Sequence, residues 1–227
     1  MEIGEAYAGP GSVEEAVALQ EELRGRLRVV PLESEPRTVA GLDVAYSEEH
    51  DLVAAAVVVL DAATFAVVDQ AVSVERPSFP YVPGLFAFRE VPSLLSALRA
   101  LRTEPDVLVC DGHGLAHPRR FGLACHLGLL TGRPSFGVAK TPLLASTLPG
   151  DERGASTPLL LDGDEVGRTL RTQTGIRPVH VSPGHLIDLG SSVTLTLALS
   201  PHYRLPETTR KADSLSRLTL REALAAS

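Results

Sequence analysis

Only two cysteines occur in the 227 residues, and the chain has no net positive charge, standing at −7. Cys110 and Cys125 lie in apolar surroundings without CxxC spacing, which excludes a disulfide framework and a thiolate metal site. They read as small buried hydrophobes in a reducing compartment, so a cytoplasmic protein is expected. No stretch approaches the roughly 20 consecutive apolar residues that a membrane-spanning helix needs. The start, MEIGEAYAGPGS, lacks the basic and apolar regions of a secretory signal. The acidic balance argues weakly against a non-specific nucleic-acid binder, because phosphate neutralisation supplies most of such a protein's affinity. Clustered catalytic carboxylates would produce the same balance, so local basic groups matter more than the total.

A hydrophobic content of 44% over this length is enough for a sizeable core in one domain, 1–227. Ser12-Val13-Glu14-Glu15 has capping-box spacing, and Val13, Ala16, Val17, Leu19, Leu23 and Leu27 recur at helical period, so a helix is expected within 1–30. Three β-branched runs follow at 38–46, 52–61 and 65–75, separated by short polar links, as in an antiparallel meander. Pro77, Pro80, Pro83 and Gly84 exclude a helix through that segment. Beyond it come a helix through Leu94 to Leu101, a buried strand at 106–111, a helix from Arg119 to Leu130 and a strand at 134–140. A hairpin across Asp162-Gly163, a strand at 179–185, a helix at 186–199 and a helical tail from Leu215 complete the chain. This order implies an α/β protein with a central mixed sheet flanked by helices, similar to ribonuclease H-like folds.

Three acids attract attention. Asp43 sits inside the first strand, where an unpaired acid costs several kcal/mol to bury. Asp111 ends the strand VLVCD at the carboxyl edge, where ligand sites of α/β sheets lie. Glu90 follows the proline segment at the start of a helix. If the first and fourth strands are neighbours, Asp43 and Asp111 come side by side with Glu90 within reach, a set of oxygen ligands suited to Mg²⁺. Each acid also has a plainer reading: an arginine-paired core acid, a helix-start acid and an Asp-Gly turn.

The segments GLDVAY (41–46), PYVPGLFAFRE (80–90), DGHGLAHPRRFGLACHLG (111–128), GVAKTPL (137–143), VHVSPGH (179–185) and YRLPETTRKAD (203–213) resemble, in order, the signature blocks of the endonuclease V family. They span a motif-bearing core at 38–213, leaving 214–227 as the helical tail. The resemblance implies a ribonuclease H-like fold and an enzyme dependent on Mg²⁺, with Mn²⁺ able to substitute. It implies hydrolysis of the second phosphodiester 3′ to a deoxyinosine in damaged DNA, or near inosine in RNA for some relatives. A monomer with no membrane association is expected. By motif, Asp43, Glu90 and Asp111 match metal-binding carboxylates, and Asp213 matches a position that assists a second ion. His117 and Lys140 match residues near the scissile phosphate, and Tyr81 an aromatic wedge.

Physical reasoning adds to these assignments. Pro80, Val82 and Pro83 would present the Tyr81 ring at little entropic cost, ready to fill the gap left by an extruded base. Gly84, Gly112, Gly114 and Gly137 would let backbone approach that base closely. Arg119 and Arg120 form the clearest basic patch, with one expected on phosphate and the other structural. The competing readings are another ribonuclease H-like nuclease, such as a junction resolvase, and a catalytically silent nucleic-acid-binding protein.

Overall fold

A computed structural model describes residues 9–226. Residues 1–8 of the expected N-terminal segment, and Ser227 at the end of the tail, lie outside the described residues. Helix α1 (Val13–Arg24) starts where its capping box predicts, with the Ser12 side chain accepting a hydrogen bond from the Glu15 N–H. Strands β1 (Thr38–Ser47), β2 (Leu52–Asp61) and β3 (Val67–Glu75) form the expected meander. Then come α2 (Phe86–Ala100), β4 (Val107–Cys110), α3 (Leu123–Thr131) and β5 (Ser135–Ala139). The chain continues through β6 (Ser156–Leu161), β7 (Asp164–Leu170), β8 (Val179–His185), α4 (Leu189–Ala198) and α5 (Glu207–Ala225).

The eight strands form one mixed sheet in the order β3-β2-β1-β4-β5-β8-β7-β6. β1, β4 and β5 run parallel at its centre, so their carboxyl ends share one edge. Strand alternation then divides the side chains between two faces. Ala40 and Leu42 pack with Leu108, Cys110 and the apolar faces of α2 and α3. Val39, Val109, Phe136 and Val138 pack on the opposite side with Leu199 and Ala212, which belong to the α4–α5 layer. Continuing the second set in steps of two along each strand gives Asp43 (through Gly41), Asp111 and Lys140. Both cysteines are free and buried, as expected. Among the described residues no helix is long and apolar enough to cross a membrane.

Several helix boundaries differ from expectation: α2 begins at Phe86, well before Leu94 and with Pro92 in its second turn, and α4 begins at Leu189. The helix expected from Arg119 begins at Leu123, because the chain turns after Pro118 and Arg120 takes a left-handed φ of 52°. The helix expected from Leu215 begins at Glu207, directly after Pro206. Its first turns bury Thr208, Thr209, Ala212 and Ser216, small or polar residues that leave no apolar stripe to read. Their smallness has a purpose visible at Gly41, in the row Val39, Gly41, Asp43 that faces α5. A Cβ on Gly41 would stand 2.1 Å from the Thr208 carbonyl oxygen, so the helix rests directly on strand backbone.

Gly41→Ala is therefore expected to lift the start of α5 and lower stability by about 1–3 kcal/mol, the range typical of overpacking. Urea unfolding measures this. A Gly41→Ala protein as stable as the parent would show that the close approach is dispensable.

Candidate active site

The carboxyl ends of β1 and β4 bring Asp43 and Asp111 together, since Leu42 pairs with Cys110 immediately before them. The first and fourth strands are neighbours, as the sequence argument required. α5 adds Asp213 from above. One carboxylate oxygen from each of Asp43, Asp111 and Asp213 lies within 4.8 Å of the others, a spacing that could hold a metal ion. The Lys140 ammonium enters from β5, 2.5 Å from Asp111 Oδ2 and 3.3 Å from Asp213 Oδ1. Ser216, one turn beyond Asp213, donates its hydroxyl to Asp43 Oδ2 at 2.6 Å.

The electrostatics show a site short of positive charge. Asp43 is 9% exposed, and burial first, then the neighbouring Asp111 and Asp213, push its pKa up to about 7 against the pull of Ser216. Burial would depress the Lys140 ammonium, but its hydrogen bond to Asp111 and the three nearby carboxylates hold it above its ordinary value. Oxygen-only ligands around a buried Asp43 that resists ionisation are the donor set of a hard divalent cation, and such a cation would relieve the repulsion. The residues present fit a metal of that class.

Glu90 approaches from the other side of the sheet. It lies on α2, and Tyr46, two residues past Val44 in the α2-facing row, donates its hydroxyl to Glu90 Oε1 at 2.6 Å. Burial raises Glu90 to about 7, opposed by that hydrogen bond and reinforced by Asp111. Glu90 thus stands outside the close triad but lines the same open cleft, together with Asp43, Asp111, Lys140 and Asp213. Tyr46 and Ser216 escaped the sequence reading. Strand alternation could have placed Tyr46 opposite α2, whereas Ser216 lies in the stretch read as featureless tail.

Glu90 and Asp111 also form the wall between this cleft and a second cavity of about 180 Å³, lined by Gly84, Gly112, His117, Phe121 and Leu143 among others. Its rim is the proline segment. Val82, Pro83, Gly84 and Leu85 make a turn closed by the Leu85 N–H donating to the Val82 carbonyl, with φ of 78° at Gly84. Proline followed by a positive-φ glycine is the type II arrangement. Phe79 and Val82 anchor the segment in a small cluster with Leu85 and Phe88. Tyr81 is left 65% exposed, its ring edge-on to Phe86 at 4.5 Å. Pro80 and Pro83 flank it at the surface. Gly114 and Gly137 stand behind this cavity, with a Cβ at either falling 2.1 to 2.3 Å from the backbone oxygen of Pro183 or Gly112.

The basic patch behaves differently from the sequence expectation. Both arginines have partners within the chain. Arg119 donates from Nε to the Gln20 side-chain oxygen at 2.5 Å and from Nη2 to the Gly84 carbonyl at 2.7 Å. Arg120 is held by Asp164, 2.7 Å away, and by the Leu161 carbonyl. His117 is 4% exposed and satisfied at both ring nitrogens. Its Nδ1 accepts from the Arg119 N–H, so Nε2 carries the proton donated to the Gly84 carbonyl at 3.0 Å. Burial, aided by Arg119, pushes its pKa down to about 4, keeping the ring neutral. Gln20, from outside the motif-bearing core, also donates to Gly84, so three donors converge on that one carbonyl.

A mixed sheet of this order, with acids gathered at the carboxyl ends of its central parallel strands, is the arrangement of a ribonuclease H-like nuclease. Residues 21–214 match the Endonuclease V family model, and the chain belongs to that family, whose members are phosphodiester hydrolases. A curated endonuclease V from Streptomyces avermitilis is 58% identical over 95% of this chain and 96% of its own length. The crystal structure of an endonuclease V from the same organism superposes with a TM-score of 0.92 at 56% identity, covering 96% of each chain. An endonuclease V from Ciona intestinalis, solved with a 23mer DNA containing an inosine followed by a ribo-adenosine, gives 0.81 at 26% identity, covering 93% and 98%.

The raised carboxyls make the response to cations depend on pH. With Asp43 moved from 3.8 and Glu90 from 4.5 to about 7, the folded protein binds more protons than the unfolded chain between those limits. Stability from these groups therefore falls as pH rises through that window. A cation bound to the ionised cluster removes the penalty, so Mg²⁺ should raise the thermal midpoint more at pH 8 than at pH 5.5. Equal shifts at both pH values, or an undiminished shift in Asp111→Asn, would show that the cluster is not the ion's site.

Proposed function

We propose that this protein is a Mg²⁺-dependent repair endonuclease that recognises a deaminated purine, hypoxanthine above all, and hydrolyses the second phosphodiester bond 3′ to it. The observation that carries this reading is the shared wall. A base-sized cavity and a carboxylate cleft lie side by side, joined through Glu90 and Asp111. A base removed from its stack would enter the first compartment while a phosphate of the same strand lies in the second. The inosine-containing DNA bound by the Ciona relative supports the same substrate class.

Within this reading Asp43, Asp111 and Asp213 hold the ion, with Glu90 reaching the cleft from the α2 side. These carboxylates would hold Mg²⁺, which would supply charge neutralisation at the scissile phosphate and a lowered pKa for an attacking water. Lys140 presents a point positive charge at the same oxygens. Tyr46 and Ser216 fix two of the carboxylates in direction. His117 and Arg119 hold the Gly84 carbonyl and so shape the rim of the base cavity. Gly84 and Gly112 line that cavity with backbone. Tyr81 occupies the space of the extruded base. Mn²⁺ has the same preference for oxygen ligands and would substitute.

The direct test is cleavage of matched oligonucleotides bearing deoxyinosine in DNA, inosine in RNA or neither, mapped at single-nucleotide resolution. Cutting of branched DNA without lesion preference would favour a junction-type nuclease, and binding without cutting a silent binder. Asp43→Asn and Asp111→Asn should each lower single-turnover cleavage by roughly 10²–10⁴, corresponding to several kcal/mol of lost charge stabilisation. Near-parental rates in either folded variant would remove the site assignment.

Tyr81 separates recognition from chemistry. Tyr81→Ala should lose about 1–3 kcal/mol of stacking, seen as weaker binding and poorer discrimination, with partial rescue when the inosine is mismatched or unpaired. Tyr81→Phe should stay close to the parent, because the exposed ring and not its hydroxyl does the filling. Equal defects on paired and unpaired substrates would leave Tyr81 a surface residue of the turn.

A further inference from the structure

Of the two arginines, one of which was expected on phosphate, Arg119 is bonded to Gln20 and Gly84 and Arg120 is ion-paired at the surface, so the question is how a chain of net charge −7 attracts a polyanion. The positive charge has to be gathered locally. Among the described residues, the cations lining the carboxylate cleft are Lys140, Arg217 and Arg221. Lys140 is committed between Asp111 and Asp213. The other two stand on α5 at four and eight residues beyond Asp213, hence on one helix face, about 6 and 12 Å along its axis. Leu220, 8% exposed, packs under that face and fixes the rotation of the helix.

Arg217 keeps a side chain 67% exposed while its Nη2 lies 3.0 Å from Asp213 Oδ1. Arg221 is exposed and has no ion-pair partner among the described residues. We infer that Arg217 and Arg221 form a phosphate-backbone subsite, a cationic ridge along α5 that holds non-reacting phosphates of the cut strand against the cleft wall. The inference rests on the nuclease reading above. Guanidinium groups suit the role because their forked donors match phosphate oxygens and their charge does not titrate. Arg217 has a competing task, balancing Asp213, which would appear as altered metal affinity. Arg221 has no acid to balance, so it is the discriminating position.

The test is the salt dependence of binding for the full-length protein, Arg217→Gln, Arg221→Gln and the double variant. The probes are two short duplexes of one sequence, one undamaged and one with a single deoxyinosine, with Ca²⁺ in place of Mg²⁺. For each arginine removed, the slope of log Kd against log salt should shrink by roughly 0.9 on duplex, or roughly 0.7 where the contacted strand is single. Arg221→Lys should retain the slope. Arg102→Gln, in the loop before β4 and so at the opposite end of the sheet, should leave it unchanged. Backbone contacts carry no sequence information, so the change should appear on both duplexes. Absence of preference for deoxyinosine would count against the substrate reading alone. An unchanged slope in Arg221→Gln and in the double variant, or no binding to either duplex, would overturn the ridge.

Discussion

The site depends on one close approach: α5 lies against β1 with nothing but the hydrogen of Gly41 between helix and strand. A helix held off by an ordinary side chain would carry Asp213 and Ser216 away from Asp43, and neither a 4.8 Å carboxylate cluster nor the 2.6 Å Ser216 bond would form. The composition of the first turns of α5 follows from this. Thr208, Thr209, Ala212 and Ser216 are small enough to rest on backbone where larger apolar residues would clash; the Thr209 hydroxyl donates to the Pro206 carbonyl and that of Ser216 reaches Asp43. Pro206 starts the helix at a fixed φ, so its direction is set before it reaches the sheet.

That approach creates an electrostatic problem, and the neighbouring residues answer it. Three acids converge on one edge, and burial raises Asp43 and Glu90 toward neutrality. With Glu90 the cleft holds four acids: Ser216 donates to Asp43, Tyr46 to Glu90, and Lys140 to both Asp111 and Asp213, the last also reached by Arg217. Two of these donors are neutral, so they orient a carboxylate without removing the need for positive charge. Only Lys140 and the exposed arginines of α5 contribute charge of their own. The site's own residues are therefore directed but short of positive charge, which is the condition under which a divalent ion gains most from binding.

Much of this was legible in the sequence, for identifiable reasons. The meander announces itself because its strands are apolar and bounded by polar turns, whereas the β1–β4 adjacency entered only as a condition of the carboxylate argument and is supplied by the fold. Asp43 and Asp111 are conspicuous because an acid in such a strand demands a partner. What escaped has equally physical causes. The start of α5 hides because its buried face is made of small polar residues. Arg119 and Arg120 look like a phosphate patch because the words that recruit them inward, Gln20 and Asp164, lie 99 and 44 residues away in sequence. Glu90 looks equivalent to the two aspartates until the sheet faces are assigned. It then proves to belong to the α2 side and to reach the cleft over the edge.

This division between faces explains how one edge can serve two tasks. The α5 face of the sheet carries the ion-binding acids and the cations. The α2 face carries the proline turn, the Gly84 carbonyl with its three donors, and the cavity beneath Tyr81. Glu90, Asp111 and Leu123 are common to both compartments, so on the proposed reading base and phosphate would be registered against the same two carboxylates. A shift of the Gly84 turn moves α2 at its first residues, and with it Glu90. The network of Gln20, His117 and Arg119 that pins Gly84 therefore also limits how far Glu90 can stray from the cleft. On the proposed reading, recognition and hydrolysis meet at the wall that the two compartments share.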